Sequence, residues 1–106
     1  MTDILKSLER TIFARREAEP DQSYVASLRA KGRAKMAEKL GEEAIEAVIA
    51  AVQDDKAAMT GEAADLLFHL MVLLADMDMS LDDVIAELAR REGLSGLEEK
   101  AARGAS

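Results

Sequence analysis

KLGEEAIEAVIAAVQDDKAAMTGEAADLLFHLMVLL, residues 39–74, decides the fold. It contains two acidic clusters, Gly41-Glu42-Glu43-Ala44-Ile45-Glu46 and Glu62-Ala63-Ala64-Asp65. Each holds an acid pair at i, i+3: Glu43 with Glu46, and Glu62 with Asp65. Both clusters lie in sequence with helical character, so each pair projects from one face of its helix. The two helices are joined only by a short polar turn near Gln53-Asp54-Asp55. A turn that short makes them antiparallel neighbours. The pairs then face each other, and four carboxylates come together.

Such a cluster is costly without a counter-charge. Two carboxylates about 6 Å apart repel by roughly 3 kcal/mol at an effective dielectric near 20. Either the acids point apart into water, as solvated faces of acidic helices, or a cation sits among them. Ala44, Ile45, Val48 and Ile49 crowd the first pair, and Ala63, Ala64, Leu66 and Leu67 crowd the second. Acids interleaved with such apolar residues are at least partly inward-facing. Oxygen ligands without cysteine or paired histidine suit a hard cation, Mg²⁺ or, as a substitute, Mn²⁺.

Working outward, the chain of 106 residues reads as one domain, with a core over about 20–92 and a tail over 93–106. Ala and Leu dominate and Pro20 is the only proline, which points to an all-α chain. The expected architecture is an antiparallel helical bundle of four to five helices. The first helix runs from Thr2 to about Ala18, with Ile4, Leu5, Leu8, Ile12 and Phe13 on one stripe. Glu19-Pro20-Asp21 breaks it. Ser23 caps a short second helix carrying Tyr24, Val25 and Leu28, and Lys31-Gly32-Arg33 is a basic turn or kink. The third helix spans about Ala34–Gln53. The fourth begins at Asp54 or Asp55 and reaches about Met77, with Gly61 as a point of weakness. Its apolar belt, Leu66 to Leu74, is too wide for one neighbour and predicts a core completed by dimerisation. Ser80-Leu81-Asp82-Asp83 opens a fifth helix in the manner of a capping box, with Asp in the usual Glu position. Gly93 and Gly96 end it, residues 97–103 can form one or two helical turns, and residues 104–106 fray.

Charge is unevenly spread. Residues 1–35 carry eight Lys/Arg against five Asp/Glu, and residues 36–106 carry six against sixteen. The net charge of −7 argues against nucleic-acid binding. Lys35, Lys39, Glu43 and Glu46 share one side of the third helix. Lysines leading into an acid pair suit a metal-bridged phosphate, although Lys39 with Glu43 is also an ordinary i, i+4 pair. His69 lies four residues after Asp65, near the acid face, where a lone histidine is more often hydrogen-bonded than ligating. With no run of 18 apolar residues and no basic n-region before the first helix, neither a membrane span nor a signal peptide is expected, and a cytoplasmic setting fits. The glycines form no phosphate loop. One histidine and no cysteine exclude a serine or cysteine triad and a thiolate zinc site. A helical di-iron centre would need Glu-x-x-His motifs, where this chain has Glu-x-x-Glu and Glu-x-x-Asp.

Glu-Glu-x-x-Glu followed after 15 residues by Glu-x-x-Asp resembles the acid signature of the all-α NTP pyrophosphatase (MazG-like) superfamily. The Ser23–Leu28 segment, Gly32 with Lys35, Lys39-x-Gly41-Glu42-Glu43-Ala44-x-Glu46 and Glu62–Leu70 narrow the resemblance to phosphoribosyl-ATP pyrophosphatases. The ending Arg91-x-Gly93-x-Ser95-Gly96 with Lys100 and Arg103 looks like that family's tail. Phe68 stands where many members would have Tyr. The resemblance implies Mg²⁺-dependent hydrolysis of 1-(5-phosphoribosyl)-ATP to 1-(5-phosphoribosyl)-AMP and pyrophosphate, the second step of histidine biosynthesis. It implies a homodimer. In many organisms this domain is fused to the cyclohydrolase of the next step; with nothing before the domain and no cysteine for a zinc site, the chain looks like the free-standing form, handing its product to a separate phosphoribosyl-AMP cyclohydrolase.

On this reading Glu43, Glu46, Glu62 and Asp65 bind the metal, and Glu42 or Glu46 activates water. Lys31, Arg33, Lys35 and Lys39 meet phosphates, with Lys100 and Arg103 closing from the tail. His69 and Tyr24 stand behind the ligands. Two other readings share parts of this evidence. One is a MazG-like house-cleaning enzyme acting on other nucleoside triphosphates. The other is a non-enzymatic helical interaction module whose acids are only surface.

Overall fold

A computed structural model describes residues 3–92. Within them the chain is five α-helices: α1 (Asp3–Arg15), α2 (Tyr24–Lys31), α3 (Arg33–Val52), α4 (Lys56–Asp76) and α5 (Leu81–Arg91). No strand occurs among the described residues. The all-α expectation and the five elements hold, with ends shifted by a few residues. The expected tail helix, and with it Lys100 and Arg103, lies outside the described residues.

The helix boundaries have local causes. Ser23 Oγ accepts from the Ala26 amide at 3.2 Å and starts α2. Gly32 separates α2 from α3 with a φ of +101°, a conformation that an L side chain rarely adopts. α3 ends at Gln53, and Asp54 follows in the left-handed region at φ +54°. Asp55 Oδ1 then accepts from the Ala58 amide at 3.0 Å and starts α4. The reversal takes three residues, which leaves α3 and α4 as antiparallel neighbours. α4 is continuous through Gly61; the weakness expected there does not split it, because packing on α3 outweighs one glycine's propensity cost of about 1 kcal/mol. At α5, Asp83 Oδ2 accepts from the Ser80 amide at 3.0 Å, so the shorter acid serves the capping position.

The core lies at one end of the α3–α4 hairpin. Ile12 of α1, Leu28 of α2 and Met36 at the start of α3 are enclosed with Met71, Val72 and Ala75 of α4 and Leu81 of α5. Each large apolar side chain so buried contributes about 1.5–3 kcal/mol. Polar ties fix the same end. Glu9 Oε2 accepts from the Leu81 amide at 2.6 Å. Arg16 donates to the Ala75 carbonyl at 2.6 Å and to Asp78 at 2.9 Å.

The other end of the hairpin is uncovered. The sequence has Ile45, Val48 and Ile49 crowding the first acid pair, yet the buried positions of α3 are Met36, Glu43, Ala47 and Ala50. Small residues and one glutamate therefore face α4. The larger aliphatics point out: Ile45 is 63%, Val48 60% and Val52 81% exposed, with Ile49 beside them. Met59 and Leu67 of α4 are also exposed. α4 is long and apolar enough to cross a membrane by length and composition alone, although its apolar residues form no unbroken run of 18. Its apolar side serves other ends. One part meets α3 and the core, and the same helix carries Glu62, Asp65 and His69, whose acids would cost about 2.5–3.5 kcal/mol each at a bilayer centre.

Candidate active site

The four acids singled out in the sequence meet where the covered base of the hairpin gives way to its open end. α3 contributes Glu43 and Glu46 and α4 contributes Glu62 and Asp65, each pair one turn apart. Carboxylate oxygens of Glu43, Glu62 and Asp65 lie within 4.8 Å of one another. Glu46 lies beside Glu43 and Glu62, close enough for its charge to raise both. Glu43 is buried, Glu62 half-buried, and Asp65 and Glu46 exposed, so the cluster opens to solvent on one side.

The electrostatics record crowding. Glu62 is pushed up to about 7, first by its contact with Glu46, then by burial and by the Glu43 charge. Burial raises Glu43 as well, helped by Glu46 and Asp65. One oxygen of Glu43 and one of Glu62 are buried without any hydrogen-bond donor. An orphaned buried carboxylate oxygen is costly, and two of them directed at one small space fit a cation. The acid cluster thus gathers oxygen donors of the kind a hard cation takes.

The expected phosphate binders divide. Lys39, one turn before Glu43, pairs at 3.0 Å with Glu42 rather than with Glu43. That contact raises the Lys39 ammonium and lowers the Glu42 carboxyl. Lys35, a further turn back, sits 3.4 Å from Glu38. Both lysines remain on the helix that carries Glu43. Lys31 is exposed at the end of α2. Arg33 is not brought to the acids. Its guanidinium donates to Asp76 Oδ2 at 2.8 Å and to the Asp76 carbonyl at 3.0 Å. Asp76 is eleven residues beyond Asp65 on α4, about 16 Å along the helix. Arg33 is instead part of a cluster with Arg29, Glu17 and Asp76 that closes the covered end.

His69 is buried and hydrogen-bonded, as a lone histidine at this spacing usually is. Its Nδ1 lies 2.7 Å from the Asp65 carbonyl and its Nε2 2.9 Å from the Tyr24 hydroxyl. The second contact links α2 to α4 across 45 residues. The Tyr24 ring stacks on Phe68, with centroids 6.1 Å apart and an angle of 21°. The i, i+4 spacing signals the Asp65–His69 contact in the sequence. The Tyr24 contact has no such signal, because it depends on how α2 docks.

The chain matches the family described as phosphoribosyl-ATP pyrophosphohydrolase over residues 5–92. It is 65% identical over 103 residues to a phosphoribosyl-ATP pyrophosphatase of Rhizorhabdus wittichii, covering 97% of each protein. A protein of the same name from Erythrobacter litoralis is 64% identical over 94% of this chain and 96% of its own. One from Dinoroseobacter shibae is 58% identical over 94% of this chain and 98% of its own.

The raised carboxyls make stability depend on pH in a defined direction. Glu62 has an ordinary value of 4.5 and a folded value of about 7, so the fold favours its protonated form. That stabilisation is complete below pH about 4.5 and is lost as pH rises through about 7; Glu43 acts in the same sense. In chelator, the unfolding temperature should therefore fall between pH 5 and 8. A millimolar divalent cation should raise it most at the alkaline end, because the ion favours ionised carboxylates. Differential scanning calorimetry across this range, with and without the ion, checks both. A flat or rising chelator curve, or no response to the ion, would contradict the assignment.

Proposed function

This chain belongs to the phosphoribosyl-ATP pyrophosphohydrolase family, and we infer that it hydrolyses 1-(5-phosphoribosyl)-ATP to 1-(5-phosphoribosyl)-AMP and pyrophosphate, the second step of histidine biosynthesis. The observation that carries the chemistry is the convergence of Glu43, Glu62 and Asp65 within 4.8 Å, with two buried oxygens left without donors. In the reaction a water oxygen becomes bonded to phosphorus at the α–β linkage, and the bridging P–O bond breaks to release pyrophosphate.

Glu43, Glu62 and Asp65, with Glu46 beside them, would hold Mg²⁺, for which Mn²⁺ can substitute. When bound, the ion offsets the negative charge of the acids and of the triphosphate oxygens they face. Lys39 and Lys35 meet outer phosphate oxygens. Lys39 is free to do so because its present partner, Glu42, is an exposed residue in a weakly held i, i+3 pair. Lys31 and, from the tail, Lys100 and Arg103 complete the proposed set of phosphate binders. Arg33, committed to Asp76, acts on the fold. Glu46 is the better placed of the two candidate bases. It is exposed at the open side of the cluster, whereas Glu42 is tied to Lys39 and held below the usual carboxylate range. A base must accept the water proton, and a carboxyl lowered by a cationic partner does so less readily.

We further propose a homodimer. The exposed stripe of Ile45, Val48, Ile49 and Val52 beside Met59 and Leu67 supports it, because a second copy would cover the open end of the hairpin. On this reading the product passes to a phosphoribosyl-AMP cyclohydrolase, and the reaction belongs to the cytoplasm.

Pyrophosphate release from phosphoribosyl-ATP should require Mg²⁺ and should exceed release from a panel of nucleoside triphosphates. The other product should be uncyclised phosphoribosyl-AMP by mass spectrometry. Glu43→Ala and Asp65→Ala should each lower turnover by at least about a hundredfold, as loss of one partner of a charged site does. Turnover within a few-fold of wild type would remove these residues from the site. Preference for other triphosphates would move the function to nucleotide house-cleaning.

Sedimentation should give twice the chain mass. Val48→Asp, placed in the exposed stripe, should return it to the monomer with the helical circular dichroism retained. A wild-type monomer at micromolar concentration would contradict the dimer.

A further inference from the structure

Tyr24 is the only tyrosine in the chain. It is 50% exposed although Phe68 and His69 both hold it. Its ring lies on Phe68 and meets the edge of His69 at 5.8 Å, and its hydroxyl is hydrogen-bonded to His69. Those contacts engage the ring and the hydroxyl proton, and half of the residue stays open to solvent.

The direction of the hydrogen bonds follows from the carbonyl of Asp65, which can only accept. His69 Nδ1 therefore carries a proton and donates to it at 2.7 Å. In the neutral imidazole Nε2 is then an acceptor, and the Tyr24 O–H donates to it at 2.9 Å. The phenolic oxygen is left with lone pairs only. Tyr24 presents a rigid π face and an acceptor, a combination that favours a cation rich in N–H donors. It sits one imidazole away from the Asp65 carbonyl.

Phosphoribosyl-ATP and ATP differ at the base. A ribosyl group on adenine N1 uses the ring lone pair, and the base is then positively charged at neutral pH, with the charge spread over N1, C6 and N6. The adenine of ATP is neutral. We propose that Tyr24 is a specificity-determining residue that reads this charge, its open face meeting the N1-substituted adenine and its phenolic oxygen accepting from the N6 N–H. The inference rests on the functional reading above and deepens it.

The test separates the ring charge from the second phosphoribosyl group. ATP and 1-methyl-ATP, whose base is charged but lacks that group, are compared as inhibitors of phosphoribosyl-ATP hydrolysis. The wild type should bind 1-methyl-ATP at least about threefold more tightly than ATP, the lower range for a cation over an aromatic face. Tyr24→Leu should bring the ratio close to one, while Tyr24→Phe, which keeps the ring, should retain most of it. A wild-type ratio near one overturns the proposal without recourse to any variant. So does a Tyr24→Leu protein that binds both nucleotides more weakly but keeps the ratio, since Tyr24 would then only brace α2 against α4. If the wild type does not turn over phosphoribosyl-ATP, the functional reading fails. Calorimetric binding of the same two nucleotides then still decides the role of Tyr24.

Discussion

Glu43 and Glu62 each keep a carboxylate oxygen buried without a donor, on neighbouring helices, with Glu46 and Asp65 adding their charges beside them. Taken alone this arrangement opposes folding. Burial and mutual repulsion raise Glu62 and Glu43, so the fold favours the neutral form of each. A proton offsets one charge in the cluster, whereas a divalent cation offsets two and can still face a polyanion. The repulsion therefore links three properties of the proposed enzyme: its dependence on pH, its need for a metal and its affinity for phosphates.

The position of the acids follows from a division within the α3–α4 hairpin. At one end α1, α2 and α5 cover it and form the apolar core around Ile12, Leu28, Met36 and Met71. At the other end α3 meets α4 through Ala47 and Ala50, while its larger aliphatics face outward. Small residues let the two helices approach closely, and close approach is what brings carboxylates from both helices to one space. The same choice leaves Ile45, Val48 and Val52 uncovered, which is the physical basis of the proposed second copy. Assembly and metal site are in this sense consequences of one packing decision.

The parts of this account that were legible in the sequence are local or nearly so. The acid pairs at i, i+3, the short turn at Gln53–Asp55 and the apolar periodicities predict the helices, their antiparallel pairing and the meeting of Glu43, Glu62 and Asp65. Caps at Ser23 and Asp55 and the break at Gly32 follow from residue chemistry. What the sequence hides depends on docking. Arg33 looked like a phosphate binder because it is basic and precedes the acids, yet the covered end brings Asp76 to it. Lys39 has glutamates at both i+3 and i+4, and periodicity cannot choose between them; the side chain takes Glu42. The Tyr24–His69 bond spans α2 and α4 and has no periodic signature. Val48 and Ile49 count as apolar positions of α3, but periodicity does not say whether the surface that covers them belongs to the same chain.

The central claim is that the four carboxylates hold a cation. Crystals grown with Mn²⁺ and measured near the manganese absorption edge test it most directly. The account predicts an anomalous peak between the carboxylates of Glu43, Glu62 and Asp65, about 2.2 Å from their oxygens. Manganese only elsewhere on the surface, or ordered carboxylates turned apart into water with no peak between them, would contradict it.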